Sequence, residues 1–262
     1  MKIHATAIVH PTAEVADGAE IGPFCFVGAN VTVGAGTRLI HQVSLTANTS
    51  LGRDNVVYPG AVLGGDPQDK KFQGEETWLR IGDANLFREC VTINRGTSHG
   101  GGVTRIGDNC LFMAGCHVAH DCTVGNHVTM ANSVLLGGHV VVEDGVGFGG
   151  VSAVHHYASV GTGAFIGGMT RVLTDAPPYL ITEGNPSRVR GLNRVGLLRR
   201  GLPEETMAWL KEAYRALFYD GTPKEEAIQR LRSNGSVPPE GGILLDFMAR
   251  SIAGKKGRQL QP

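Results

Sequence analysis

From Ile3 onward an aliphatic residue returns at every sixth position, through Val9, Val15, Ile21, Val27, Val33, Leu39, Leu45, Leu51, Val57 and Leu63. The beat lapses at Asp69 and Glu75, resumes in phase at Ile81, Phe87 and Ile93, and slips by one residue across SHGGGV. It then runs unbroken from Ile106 to Val172. A period of six is neither the 2 of a half-buried strand nor the 3.6 of an amphipathic helix. Four places after each apolar residue stands a small or β-branched one, as at Ala7, Ala61, Val134 and Thr170, with Asn55 and Asn85 as exceptions. One place after it glycine recurs, as at Gly22, Gly28, Gly125 and Gly161, which predicts a tight corner there.

One short strand plus one corner per hexapeptide, with a large and a small side chain turned inward, is the signature of a parallel β-helix. Three sides make a coil of about eighteen residues. Coils stack about 4.8 Å apart, so each residue lies over the one a full coil earlier. The lapses predict a projecting loop over 64–80 and a shorter one over 97–103. Beyond Asp175 the beat stops. Pro203 can start a helix with Met207, Leu210, Tyr214, Leu217 and Phe218 on one face and Gly221 as its stop. Thr222, Pro223 and Glu225 predict a capping-box start for a second helix through Leu231. A third is expected over 240–253, followed by a frayed tail. The organisation is mainly β over 1–190, with a small α-helical domain over 191–262.

The chain has 262 residues, 24 basic and 24 acidic, so no net charge draws it to nucleic acid or a membrane surface. It carries no signal-peptide run and no apolar stretch of the roughly 18 residues needed to span a membrane, so it reads as cytoplasmic. Its five cysteines are expected as reduced thiols.

The candidate chemistry lies in GCHVAHDC, residues 115–122. Cys116 and Cys122 fall on inward positions, with Cys25 and Cys110, and read as small core fillers. A mixed Cys/His zinc site is disfavoured, because the thiols and His120 point to different sides of the wall. His120 faces outward, with Gly138 and His156 one and two coils above it. Asp121 stacks beneath His139, His117 lies at the neighbouring corner, and His155 adjoins His156. Five of ten histidines thus share one patch. Imidazole suits a general base for an alcohol or amine, a carboxylate such as Asp121 can fix its tautomer, and the Gly138 N–H can stabilise an oxyanion. No serine or cysteine is positioned for a triad, the nearby thiols being inward, so direct attack by the substrate is expected. Arg188, Arg190, Arg194, Arg199 and Arg200 fall in thirteen residues without an acid and predict an anionic partner.

The segments GDPQDKKFQGE, VTINRGT, HVAHDCTVGN, AVHH, DAPPYLITEGNPSRVRGLN and GLLRRG resemble the bacterial UDP-N-acetylglucosamine O-acyltransferase family of lipid A synthesis. That resemblance implies a left-handed β-helix and a homotrimer with sites between subunits. It implies transfer of an (R)-3-hydroxyacyl chain from acyl carrier protein to the sugar 3-hydroxyl, with no cofactor beyond the carrier thioester and no metal. By motif, His120 is the base, Gly138 the oxyanion contact, and His117, His139 and His155 orient substrates. Asp69 and Lys71 contact substrate from the projecting loop, and Asn193 and Arg199 hold the nucleotide. Three positions depart from the family's pattern: His156 replaces glutamine, Val195 glutamate and Pro186 histidine. The family's acyl ruler falls on Gly168, which favours a longer chain, while Met169 beside it can shorten the groove.

Two other activities fit parts of the pattern. An N-acyltransferase on the 3-amino sugar analogue would use the same base. A γ-type carbonic anhydrase would take zinc on His117, His120 and His139 across subunits, but explains neither the loop, the arginines nor the helical tail.

Overall fold

The computed structural model describes residues 1–262. Up to Arg171–Val172 the chain visits three parallel sheets in rotation, so that each strand pairs with the third one along. The first sheet has eleven strands and starts at Lys2–Ile3; the second has nine, from Ile8–Val9 to Arg171–Val172; the third has eight, from Glu14–Val15 to Ser159–Val160. The register is the expected eighteen residues, with Ile3 beside Ile21, Val9 beside Val27 and Thr123 beside Val141. The two loops stretch it. Ile81 pairs with Leu51, thirty residues back, and Val118 with Ile93, twenty-five back, so the loops add twelve and seven residues without disturbing the wall.

The periodic residues and their small partners form one cluster of 40 buried side chains enclosed by the three sheets. Cys25, Cys110, Cys116 and Cys122 are among them, and all five thiols are free. Both asparagine exceptions are buried and satisfied. Asn55 Nδ2 donates to the carbonyls of Arg53 (3.1 Å) and Gly82 (2.9 Å), and its Oδ1 accepts the Asn85 N–H at 2.9 Å. Asn85 repeats this one coil up, donating to the Gly107 carbonyl at 2.9 Å and accepting the Cys110 N–H at 2.8 Å. The pair replaces apolar filling with a polar seam in the coils that flank the two insertions.

The recurrent glycines serve a different need from the one expected. Gly22, Gly28, Gly125 and Gly161 all have negative φ. A Cβ at Gly22 or Gly28 would overlap the carbonyl oxygen of Ile40 or Thr46 on the next coil, so close stacking demands the glycine. The left-handed turn comes two places later, and non-glycine residues often occupy it: φ is 59° at Asp121, 61° at His139 and 63° at Tyr157.

A hairpin of Leu180–Gly184 and Ser187–Leu192 closes the first sheet and leads to four helices. These are α1 (Arg194–Arg199), α2 (Glu204–Phe218), α3 (Lys224–Ser233) and α4 (Pro239–Ala253). A second core of 13 buried residues, including Tyr179, Leu197, Leu210 and Leu244, joins them to the hairpin. Three expectations are corrected here. The short α1 is an extra helix, capped by Asn193, whose Oδ1 accepts the Gly196 N–H at 3.2 Å. No capping box starts α3, because Pro223 itself holds the N-cap position and offers no side-chain acceptor. The tail is docked: Arg258 is buried and donates to the Leu173 carbonyl at 2.8 Å, and the Gln259 N–H donates to Asp175 at 2.8 Å.

Candidate active site

The His120 ring lies against Gly138 of the next coil, where a Cβ would stand 2.6 Å from its Cε1 and 2.8 Å from its Nε2. Its Nδ1 is 2.8 Å from Oδ2 of Asp121. Adjacent residues on a strand diverge, but His120 and Asp121 lie in the turn that follows strand His117–Val118, and the left-handed φ at Asp121 folds its side chain back. The carboxyl has no exposed surface. Burial alone would raise its pKa, yet hydrogen bonds from His120 and Thr97 outweigh that and hold it below the ordinary carboxylate value. An ionised carboxylate only accepts, so Nδ1 donates to it, which in the neutral ring leaves the lone pair on Nε2. The Gly138 N–H meets no acceptor within the chain.

His120, Gly138, His139 and His156 line one cavity of about 520 Å³ with Asp69 and Lys71 of the projecting loop. The Lys71 N–H donates to Oδ1 of Asp69 at 3.0 Å. That bond, with the nearby His120 and His99, holds the Asp69 carboxyl low. Burial pushes His139 below the ordinary histidine value against the pull of Asp121. His139 Nε2 stands 3.8 Å from Asp121 Oδ2.

Two aromatic neighbours were not anticipated. Tyr157 stacks on His139, centroids 4.4 Å apart and planes 5° apart. His99 Nε2 is 3.3 Å from Asp69 Oδ2, and its ring lies 6.2 Å from that of His139. Tyr157 stands eighteen residues after His139 and was within reach of the coil repeat; His99 sits on an insertion, where the repeat gives no coordinate.

Other candidates lie apart. His117 is on the flat face of the second sheet, not at a corner: it belongs to strand His117–Val118, between Thr92 and Leu135, and its Nδ1 meets Thr92 Oγ1 at 2.8 Å. Burial lowers its pKa. His155 Nδ1 bonds the His156 carbonyl at 2.9 Å, outside the cavity lining. Gly168 is exposed at another corner, against Gly150. Asn193 and Arg199 border a separate cavity of about 480 Å³ on the first sheet, beside Thr129, Gly147 and Phe165. Asn193 is held there by capping α1 and donating to the Gly163 carbonyl at 2.9 Å.

The arginine run gains acids from elsewhere in the fold. Arg190 pairs with Glu183 at 3.4 Å, Arg194 with Glu204 at 3.3 Å, and Arg200 donates to the Asp144 carbonyl at 3.3 Å. Arg200 thus meets a backbone carbonyl rather than a carboxylate, and Arg188, Arg199 and Arg200 are left without an acidic partner. The inward cysteines are poor nucleophiles, since burial raises Cys122 to about 12 and Cys110 to about 11. Within one chain the metal-capable groups that converge are His120, Asp121 and His139, with ligand atoms inside 4.8 Å of one another, and His117 is not among them.

Residues 175–257 match the family described as Udp N-acetylglucosamine O-acyltransferase, domain 2, and residues 104–138 match the bacterial transferase hexapeptide repeat. An acyl-[acyl-carrier-protein]--UDP-N-acetylglucosamine O-acyltransferase of Rhizobium johnstonii is 43% identical over 253 residues, covering 94% of this chain and 93% of that protein. The solved UDP-N-acetylglucosamine O-acyltransferase of Moraxella catarrhalis superposes with a TM-score of 0.91 at 40% identity, over 94% of this chain and 96% of that one. The UDP-N-acetylglucosamine acyltransferase of Bacteroides fragilis gives 0.92 at 36% identity, over 94% and 96%. With both the repeat walls and the helical end matched at this level, the chain belongs to the UDP-N-acetylglucosamine O-acyltransferase family.

Proposed function

We propose that the chain transfers an (R)-3-hydroxyacyl group from acyl carrier protein to the 3-hydroxyl of UDP-N-acetylglucosamine, the first step of lipid A biosynthesis. The observation that carries this reading is the buried Asp121 carboxylate on His120 Nδ1, which leaves Nε2 free to face a cavity lined by the projecting loop. Nε2 removes the hydroxyl proton as the sugar oxygen attacks the thioester carbonyl. The unpaired Gly138 N–H receives the oxyanion. Collapse breaks the C–S bond, and the imidazolium returns its proton to the departing carrier thiolate. The carrier thioester is the only co-reactant, and no covalent enzyme intermediate forms.

In this scheme His139, His156, Asp69 and Lys71 surround the sugar nucleotide, while His117 and His155 flank the acyl donor. Outward Leu135 and Ala153 on the second sheet, with Val151 and Met169 at its edge, are an apolar strip suited to the acyl chain, running toward Gly168. Arg188 and Arg199, free of acids, suit the acidic carrier and the diphosphate.

Asn193 and Arg199 act in this scheme, yet they border a cavity on a different sheet from His120. That separation favours a homotrimer in which one subunit's first sheet faces its neighbour's histidine patch. The coil is proposed to be left-handed, as the family implies, and the two separate cores favour a division into 1–190 and 191–262. No helix is long and apolar enough to cross a membrane, in keeping with action in the cytoplasm. The test is product formation from UDP-N-acetylglucosamine and a panel of 3-hydroxyacyl carrier proteins, beside His120→Ala and a chelated sample. Acylated sugar that survives chelation and vanishes in the variant supports the reading. Product only from the 3-amino sugar would reassign the acceptor, and loss on chelation would overturn metal-independent catalysis.

A further inference from the structure

The Asp121 carboxylate is held by more than His120. Thr97, fully buried, donates its hydroxyl to Oδ2 at 2.6 Å and its N–H to Oδ1 at 2.9 Å. Oδ2 is the same oxygen that meets His120 Nδ1. The Asp121 N–H in turn donates to Thr104 Oγ1 at 2.8 Å. Thr97 opens the short insertion and Thr104 lies in the strand that follows it, so that loop closes over the back of the catalytic pair.

The loop is built for this closure. Ser98–Gly100 is one 3₁₀ turn, and the N–H groups of Gly100 and Gly102 both donate to the Thr97 carbonyl, at 3.0 and 2.8 Å. A Cβ on Gly100 would collide with the Asp121 carboxylate. The Ser98 hydroxyl donates to Glu75 Oε1 at 2.9 Å, tying this turn to the projecting loop.

We propose that Thr97 is a positioning residue for acyl transfer, its hydroxyl and N–H together locking the Asp121 carboxylate so that Oδ2 holds His120 with Nε2 toward the substrate. This rests on the reading of His120 as the base. Two donors on two different oxygens leave the carboxylate plane no freedom to turn, and charge-assisted bonds of this kind are among the stronger ones in proteins. Without the hydroxyl, Oδ2 keeps one donor fewer in a site closed to water, and the ring it aligns loses its fixed orientation.

The test compares Thr97→Val, Thr97→Ala and Thr97→Ser with the unsubstituted protein, reading kcat, KM and the proton spectrum of the His120 ring N–H, which is assigned by its absence in His120→Ala. Loss of one charge-assisted bond predicts a fall in kcat of roughly tenfold to a hundredfold. KM should stay within about twofold, the ring N–H resonance should shift or exchange away, and Thr97→Ser should restore both. Thr97→Ala repeats the test should the valine variant not fold. A kcat unchanged in Thr97→Val with an unshifted resonance would overturn the proposal, as would a serine variant no better than alanine. If the unsubstituted protein makes no product, the acyl-transfer reading fails, and the resonance comparison alone still decides whether Thr97 fixes the pair.

Discussion

The imidazole of His120 occupies the space that a side chain at residue 138 would fill. Gly138 has ordinary negative φ, so alanine fits its backbone and the conflict is with the ring alone. Gly138→Ala should therefore lower kcat by about a hundredfold or more, the scale of losing an aligned general base, with little change in melting temperature. An active Gly138→Ala would show that the ring position seen here is not the working one.

Separation of His120 from Arg199 predicts complementation between inactive chains. His120→Ala keeps a sound arginine face and Arg199→Ala a sound histidine patch. Unfolded and refolded together in equal amounts, they should regain about one quarter of full activity, the share of interfaces that unite two intact faces in random mixing. No recovery would place each site within a single chain.

Stability should depend on pH in two windows. Burial holds His117 and His139 below the ordinary histidine value, so below about pH 6.5 the unfolded chain binds more protons than the folded one, and stability falls with falling pH. Asp121 is held below the ordinary carboxylate value, so its contribution persists above about pH 4 and is lost as pH drops through its depressed value. Melting temperature should fall in two stages, and His117→Gln should flatten only the upper one. A flat profile between about pH 7.5 and 5.5 would contradict buried, neutral histidines.

Asn85→Ala should destabilise the walls without touching the cavity. It strands the Cys110 N–H and the Gly107 carbonyl, and removes a side chain from a dry core. The cost should be about 2–4 kcal/mol by denaturant unfolding, with kcat of the remaining folded protein unchanged.

The walls were legible from Ile3 to Val172 because one inward position per hexapeptide must be large and apolar, and composition cannot hide so strict a rule. The outward placement of His120 and its stacking with Gly138 and His156 followed from the same arithmetic. The reach of Asp121 to His120 did not, because it depends on a left-handed turn that a non-glycine residue adopts without a sequence marker. Thr97 and His99 were invisible for another reason: both sit on an insertion, and residues there have no assigned height until the loop is folded. The arginine run misled in part, since Glu183 and Glu204 are distant in the expected sense of charge pattern but adjacent in the hairpin and α2.

The stacking register carries a consequence for how such a chain can change. Removing six residues from the wall between Val124 and His139 would keep every inward position apolar, because one hexapeptide there can stand in for another, and the interior would not register the loss. The outside would. Every later outward group would rotate onto the adjacent side, carrying His139, His156 and Tyr157 away from His120 while the barrel stayed filled. Only an excision of eighteen residues brings the sides back into alignment, and within the span from His120 to Tyr157 even that removes a full tier of the histidine patch. The interior thus tolerates edits in units of six and the exterior only in units of eighteen, so the chemistry of this chain is far more brittle to length change than its fold.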